Sequence, residues 1–271
     1  YLELAPSQKT ADERRAGEAQ AYLGLSRVAE KRKDFALANA WLDKIQDPQD
    51  LIAAQQRRAS ILARQGKLEE GRKLIRALPE REPGDARIKM LAEVQLLRDN
   101  KQYKAAFDVL GRANAQEPSD PDLVYDQAML AEKMGDLAGM EQLLRKLIAT
   151  KPDYHHAYNA LGYSLAERNQ RLPEAKQLIE QALKLAPNEP FIVDSLGWVE
   201  FRLGNLPEAA RLLRQAHTSR PDAEIAAHLG EVLWASGDQD EARRIFAEAA
   251  QREPGNEALR ETLDRLKVKP R

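Results

Sequence analysis

Six prolines, Pro83, Pro118, Pro152, Pro187, Pro221 and Pro254, recur along the chain at separations of 35, 34, 35, 34 and 33 residues. A fixed period of this length marks a repeat array, in which one unit cannot bury its apolar face alone and stacks on its neighbours. Upstream of each proline the same order returns: an amphipathic run, a turn, then a second run with a small residue early in it. Proline lacks an N–H and clashes with the preceding turn, so it ends a helix rather than continuing one. Each unit therefore reads as a helical hairpin closed by its proline. Strong helix formers dominate, while aromatic residues make up only 6% of the chain, which argues against strands.

The clearest copy runs from Pro190 to Asp222, with Leu196-Gly197 in its first helix, Gly204-Asn205 at the turn, Ala209 and Ala216 in its second helix and Pro221 at its end. The unit before it supplies Leu161-Gly162, Ala175, Ala182 and Pro187. The unit after it supplies Leu229-Gly230, Gly237-Asp238, Ala242, Phe246, Ala249 and Pro254. Small residues at such places let two helices approach closely, and a turn glycine ends the first helix in the left-handed conformation. A bulky residue at Gly197 is expected to force the helices apart. These residues resemble the tetratricopeptide repeat family. The resemblance implies an all-α fold: a superhelical solenoid of paired antiparallel helices whose first helices line a concave groove.

Upstream the register holds but the pattern loosens. Met140 stands at an alanine position, Val94 where a small residue is expected, and Gly71 in place of alanine. The first full unit, about Ala19 to Asp50, has Phe35, Ala38 and Trp41 and ends in the short Asp47-Pro48-Gln49-Asp50 connection. The chain is thus expected to hold a leading helix extension over 1–18 that begins near Ser7, degenerate repeats over 19–120 and regular repeats over 121–256. Residues 257–271 form a capping helix and tail, with Leu259, Leu263 and Leu266 on one face. This makes seven repeats. The opening Tyr1-Leu2-Glu3-Leu4-Ala5-Pro6 has no Met and reads as the tail of an earlier repeat, so an upstream segment is expected.

In the family the second, fifth, ninth, twelfth and thirteenth residues of a unit tend to face the groove. Carried onto this chain, these are Asp122, Tyr125, Met129, Glu132 and Lys133 in the fourth unit, and His156, Asn159 and Tyr163 in the fifth. The sixth gives Phe191, Asp194, Trp198, Phe201 and Arg202, and the seventh Glu224, Glu231 and Trp234. Aromatic side chains offer a large contact area at little entropic cost. An apolar peptide side chain is expected to rest on Tyr163, Trp198 or Trp234, with Asn159 and Asp194 bonding an extended backbone. The alternatives are that the aromatics pack between helices and that Asp194 caps locally or pairs with Arg202. The upstream positions, Leu23, Arg27 and Lys31, then Gln56, Ser60 and Arg64, then Ile88, Leu91, Gln95 and Arg98, are more basic and less aromatic, and read as a polar spacer. The Lys/Asn carboxylate clamp of the family's chaperone co-factors is not reproduced there.

No catalytic constellation emerges. His155 and His156, adjacent in sequence, are expected to diverge around a helix, and His217 and His228 to be surface or groove residues; none has the spacing of a helical metal pair. No phosphate-cradling glycine loop or His-Glu-x-x-His pattern occurs. With 42 Lys and Arg against 43 Asp and Glu, no overall field draws the chain to nucleic acid. There is no cysteine, and no run approaches the ~20 apolar residues of a membrane span.

The reading is a non-catalytic scaffold without cofactor or metal that binds other proteins or peptides between Tyr125 and Trp234. Two rivals are a structural subunit of a fixed envelope or secretion complex, and the targeting arm of an enzyme domain lying upstream. Asn159-Ala160-Leu161-Gly162-Tyr163-Ser164-Leu165-Ala166 and Val193-Asp194-Ser195-Leu196-Gly197-Trp198-Val199 resemble repeats of bacterial periplasmic tetratricopeptide lipoproteins. One such group acts as an adaptor that brings cell-wall hydrolases to a carboxy-terminal processing protease. That resemblance implies a protease and its substrates as partners and a periplasmic location, outer-membrane anchored through the upstream segment; the alternative is cytoplasmic.

Overall fold

A computed structural model describes residues 11–45, 51–116 and 120–268. The expected extension near Ser7, the Asp47–Asp50 connection and Pro118 lie outside the described residues. Among these residues there are fifteen α-helices and no strand, and no helix is long and apolar enough to cross a membrane. The chain forms two compact units, 1–118 and 119–271.

The first unit holds three hairpins: α1 (Ala11–Lys31) with α2 (Phe35–Leu42), α3 (Leu51–Arg64) with α4 (Leu68–Arg76), and α5 (Asp85–Asp99) with α6 (Tyr103–Gln116). The second holds four: α7 (Pro121–Lys133) with α8 (Leu137–Thr150), α9 (His155–Glu167) with α10 (Leu172–Leu185), α11 (Pro190–Arg202) with α12 (Leu206–Ser219), and α13 (Ala223–Ala235) with α14 (Gln239–Arg252). It ends in α15 (Glu257–Leu266). Pro83, Pro152, Pro187, Pro221 and Pro254 all fall in the loops between hairpins, where a missing N–H costs no helical bond. Asp34, Asp120, Asp136, Asp222 and Asn256 cap the helices that follow them, each side chain accepting a backbone N–H of the first turn.

All seven hairpins turn in the same way. The left-handed residue is Lys33, Gly66, Lys101, Gly135, Asn169, Gly204 and Gly237 in order, with φ between 54° and 90°. The next residue's amide donates to the carbonyl five residues earlier, as from Gln102 to Leu97 at 2.8 Å and from Asn205 to Glu200 at 2.9 Å. This is the Schellman closure of a helix C-terminus. The sequence marks it with glycine only four times, so three of the turns are invisible to a search for glycine.

Within hairpins the small residues sit where the repeat pattern expects them. Ala175, Ala182, Ala209, Ala216, Ala242 and Ala249 are all at most 2% exposed. A Cβ added to Gly197 would lie 2.7 Å from Leu213 Cγ, and one on Gly162 would lie 2.8 Å from the Ala175 carbonyl oxygen. Gly71, a departure from the alanine pattern, has its own reason: a Cβ there would come within 2.7 Å of the Ala59 carbonyl. Beyond the last hairpin, Leu259 and Leu263 of α15 and Val268 after it join the apolar cluster of Ala226, Leu229, Val232 and Phe246, covering the end of the stack as a solenoid requires.

Charged side chains tie successive hairpins of the second unit at the surface. Arg171 donates to Glu141 at 2.5 Å and Arg145 to Glu174 at 2.5 Å, linking α8 to the α10 hairpin. The Arg171 bond is the chief reason the Glu141 pKa falls to about 2, against a smaller opposing effect of burial. Exposed pairs of this kind stabilise by about 0.2–1 kcal/mol each.

Candidate functional site

Four first helices, α7, α9, α11 and α13, carry the residues expected to face a groove, and the structure divides these residues into an enclosed group and an open one. The enclosed group centres on His228. Its Nδ1 lies 2.9 Å from Asp194 Oδ2 on α11, and its Nε2 lies 3.3 Å from the Tyr163 hydroxyl on α9. Trp198 stacks on the imidazole at 4.4 Å between ring centres, and the indole N–H donates to Glu167 Oε2 at 2.8 Å. Tyr163 thus reaches past α11 to α13. Burial alone would push the His228 pKa down, but the charge of Asp194 and its hydrogen bond, with Glu224 and Glu167 further off, raise it above its ordinary value.

This geometry corrects several expectations. Trp198 is 2% exposed and Asp194 4%, so neither is an open shelf or a free backbone partner. Where inner helices converge, a large side chain at this position is covered by the next helix. His228 is a buried hub rather than a surface residue, and Asp194 pairs with it rather than with Arg202. Arg202 instead lies over the Trp198 ring at 5.8 Å, and Phe201 packs against that ring at 5.2 Å. Glu231 is buried and accepts both guanidinium nitrogens of Arg265 from α15, so it anchors the cap. Trp234 is half-buried, with Arg243 over its ring at 5.0 Å. The exposed Phe191 carries Arg220 at 4.6 Å.

The open group lies on α7 and α9. Tyr125 is half-buried and packs against Tyr154 at 5.8 Å and His156 at 5.9 Å; the Tyr154 hydroxyl donates to Asp122 at 2.8 Å. His155 and His156 do not diverge: their ring centres are 4.0 Å apart at the start of α9. Burial, and then repulsion from His155, lower the His156 pKa. Met129 is half-buried on α7. Burial pushes up the carboxyl of Glu132 on the same helix, with Lys133 opposing. Asn159 stands one turn from both His156 and Tyr163 on α9, and its Oδ1 is buried with no donor among the described residues. A buried acceptor left without a partner costs about 1–3 kcal/mol, so a donor supplied to it is favoured.

The first unit contains what its polar sequence concealed. A cavity of about 540 Å³ is lined by Leu23, Arg27, Gln56, Arg57, Ser60, Leu91 and Gln95 from α1, α3 and α5. A second, of about 570 Å³, lies among Ile52, Leu74, Leu78, Pro79 and Ile88. Most of the first set are groove-face positions in the repeat register; what the sequence does not show is that the space in front of them stays open.

The sequence model of the tetratricopeptide repeat matches residues 125–190 and 195–257. These residues are tetratricopeptide repeats. The TPR repeat-containing protein PA4667 of Pseudomonas aeruginosa is 41% identical to the chain over 211 residues, which is 78% of the chain and 36% of that protein. Human Protein O-mannosyl-transferase TMTC1 is 27% identical over 175 residues, covering 61% of the chain and 19% of that protein. The chain therefore spans a minor part of the length of each of these relatives. Among solved structures, the thermophilic TPR protein TTC0263 of Thermus thermophilus superposes with a TM-score of 0.58 at 25% identity, over 66% of this chain and 98% of that one. A tetratricopeptide repeat protein of Parabacteroides merdae gives 0.62 at 15% identity over 92% and 98%, which speaks to the fold alone. Tetratricopeptide-repeat proteins bind other proteins, and some of the relatives carry the repeats beside an enzyme.

Proposed function

We propose that the chain is a non-catalytic scaffold that holds a partner polypeptide on the α7 and α9 face, with Asn159 bonding the partner's backbone and Tyr125, Met129 and His156 packing its side chains. The Asn159 amide carries this reading: its Oδ1 has no hydrogen-bond partner among the described residues, and a rotation of this half-buried side chain would present it to a backbone N–H, beside half-buried aromatic rings that lose little entropy on binding. Trp198 and Asp194, tied to α9 through Glu167 and through His228 and Tyr163, support the face from behind, and Glu231 anchors α15; none of the three touches the partner. The finer reading is an adaptor that brings substrates to a periplasmic carboxy-terminal processing protease. Its support is the resemblance of the Asn159–Ala166 and Val193–Val199 motifs to repeats of bacterial periplasmic tetratricopeptide lipoproteins, one group of which are such adaptors. On this reading the protein is periplasmic and held to the outer membrane by a segment upstream.

The test uses the full-length protein purified from its own cell, wild type against Asn159→Ala combined with Tyr125→Ala, with the co-purified proteins quantified by mass spectrometry. The double variant is expected to bind partners about thirtyfold more weakly, since truncating an anchor costs on the order of 2 kcal/mol. Asn159→Ala alone should keep or raise the melting temperature, because it removes an unsatisfied acceptor. Undiminished partner recovery would sink the face assignment. A partner set without a protease would remove the adaptor reading and leave the scaffold.

A further inference from the structure

Glu30 of α1 is 2% exposed and faces two guanidiniums of α3. Arg57 Nη2 sits on one carboxylate oxygen and Arg64 Nε lies 2.9 Å from the other. Arg27, one turn before Glu30 on α1, stands in the same wall as Arg57. Two guanidiniums thus meet one carboxylate with a third close to Arg57, in a protein whose charges otherwise almost cancel. Burial is the main force holding the Arg57 pKa below its ordinary value; Glu30 opposes it, and the charges of Arg27 and Arg64 add to it. Arg57 Nε is buried without an acceptor among the described residues, and the side chain as a whole keeps 25% exposure. Among the described residues, Arg27, Arg57 and Arg64 here stand against the carboxylates of Glu30 and Asp99.

The cavity of about 540 Å³ opens in front of Arg27 and Arg57. Gln56 and Ser60 supply neutral donors and acceptors beside them, and Leu23 and Leu91 supply apolar wall. Asp99, on α5, is the carboxylate in the lining, and the Gln95 amide donates to it at 2.6 Å. A small inorganic anion would leave the apolar wall and the amides unused, whereas a chain with a carboxylate and a neighbouring apolar side chain uses all three. We propose that this cavity binds an extended, acidic polypeptide segment, one side-chain carboxylate seated on Arg27 and Arg57, its backbone on Gln56 and Ser60, and an adjacent apolar side chain against Leu23 and Leu91. The contact is separate from the α7 and α9 face and stands on other residues.

The experiment is fluorescence anisotropy of the whole chain with labelled twelve-residue peptides, acetylated and amidated so that only side chains carry charge. One peptide alternates Leu and Glu; the other alternates Leu and Gln. Binding of the Leu-Glu peptide is expected, at least tenfold tighter than that of the Leu-Gln peptide, and weakened between 50 and 300 mM NaCl, roughly the range over which the Debye length contracts well below 10 Å. Arg27→Glu is on an exposed position and should lower the affinity at least tenfold with the circular dichroism spectrum unchanged, and Asn159→Ala should leave it unaltered. Hydrogen exchange of the wild-type complex should show protection on α1, α3 and α5. Equal binding of the two peptides, no binding, an unaffected Arg27→Glu variant, or protection confined to α7 and α9 would each overturn the assignment.

Discussion

His228 and Asn159 show how a single polar residue acquires opposite meanings from its surroundings. His228 is embedded in Ala226-Ala227-His228-Leu229, an apolar run, and every polar atom of its ring has a partner. Asn159 occupies a similar helix face one repeat before Asp194, yet its acceptor has none among the described residues. Satisfied buried polar groups fix packing, whereas an unsatisfied one calls for a further partner such as water, an ion or a ligand. The His228 pair also makes a pH prediction. The folded state raises the imidazole pKa above its ordinary 6.5, so it holds a proton that the unfolded chain releases first. The resulting stability is complete below about pH 6.5 and is lost as pH rises through the higher folded value. Urea midpoints measured from pH 6 to pH 9 should fall in the wild type and flatten in His228→Asn. Asp194→Ala should cost about 3 kcal/mol, because it leaves the imidazole buried without its counter-charge. A wild-type midpoint that climbs with pH would refute the assignment of a charged His228.

At the scale of the element, the hairpin turn is the unit that repeats most faithfully. The same left-handed residue and the same backbone bonds occur in all seven, although glycine stands there in only four. Lys33, Lys101 and Asn169 adopt a conformation that disfavours a residue with a Cβ by about 1–2 kcal/mol. Lys101→Gly, at an exposed turn, should therefore stabilise by about 1 kcal/mol and raise the melting temperature by about 3 °C. Gly204→Lys should do the reverse. Calorimetry that finds no change in either variant would show that the turn conformation costs nothing here. The end of the array is also an element-level device: Arg265 and Leu259 of α15 meet Glu231 and the α13 cluster, supplying both charge and apolar cover to a helix that would otherwise face water.

Across the whole molecule, burial is uneven. Ten of the thirteen residues of α13 are buried, against four of the fourteen of α3, and stability in a repeat array follows such neighbour-by-neighbour contacts. Amide exchange should be slowest in α11 and α13 and markedly faster in α3 and α4; uniform exchange would show a single cooperative core instead. The same contrast explains what was legible in advance. The proline period, the alanine and glycine positions and the leucines of α15 determined the paired helices, their close approaches and the cap, because short-range sterics and helix periodicity act within one or two units. Which face stays open was decided only by the tertiary structure. The regular, aromatic segment fills its own inner side when Tyr163, Trp198 and His228 from three successive units close on one another, while the degenerate, basic segment keeps a cavity because its arginines gather on Glu30 and its smaller neighbours leave room. Side-chain meetings one or two repeats apart depend on the angle at which helices stack, and that angle is written in no single motif.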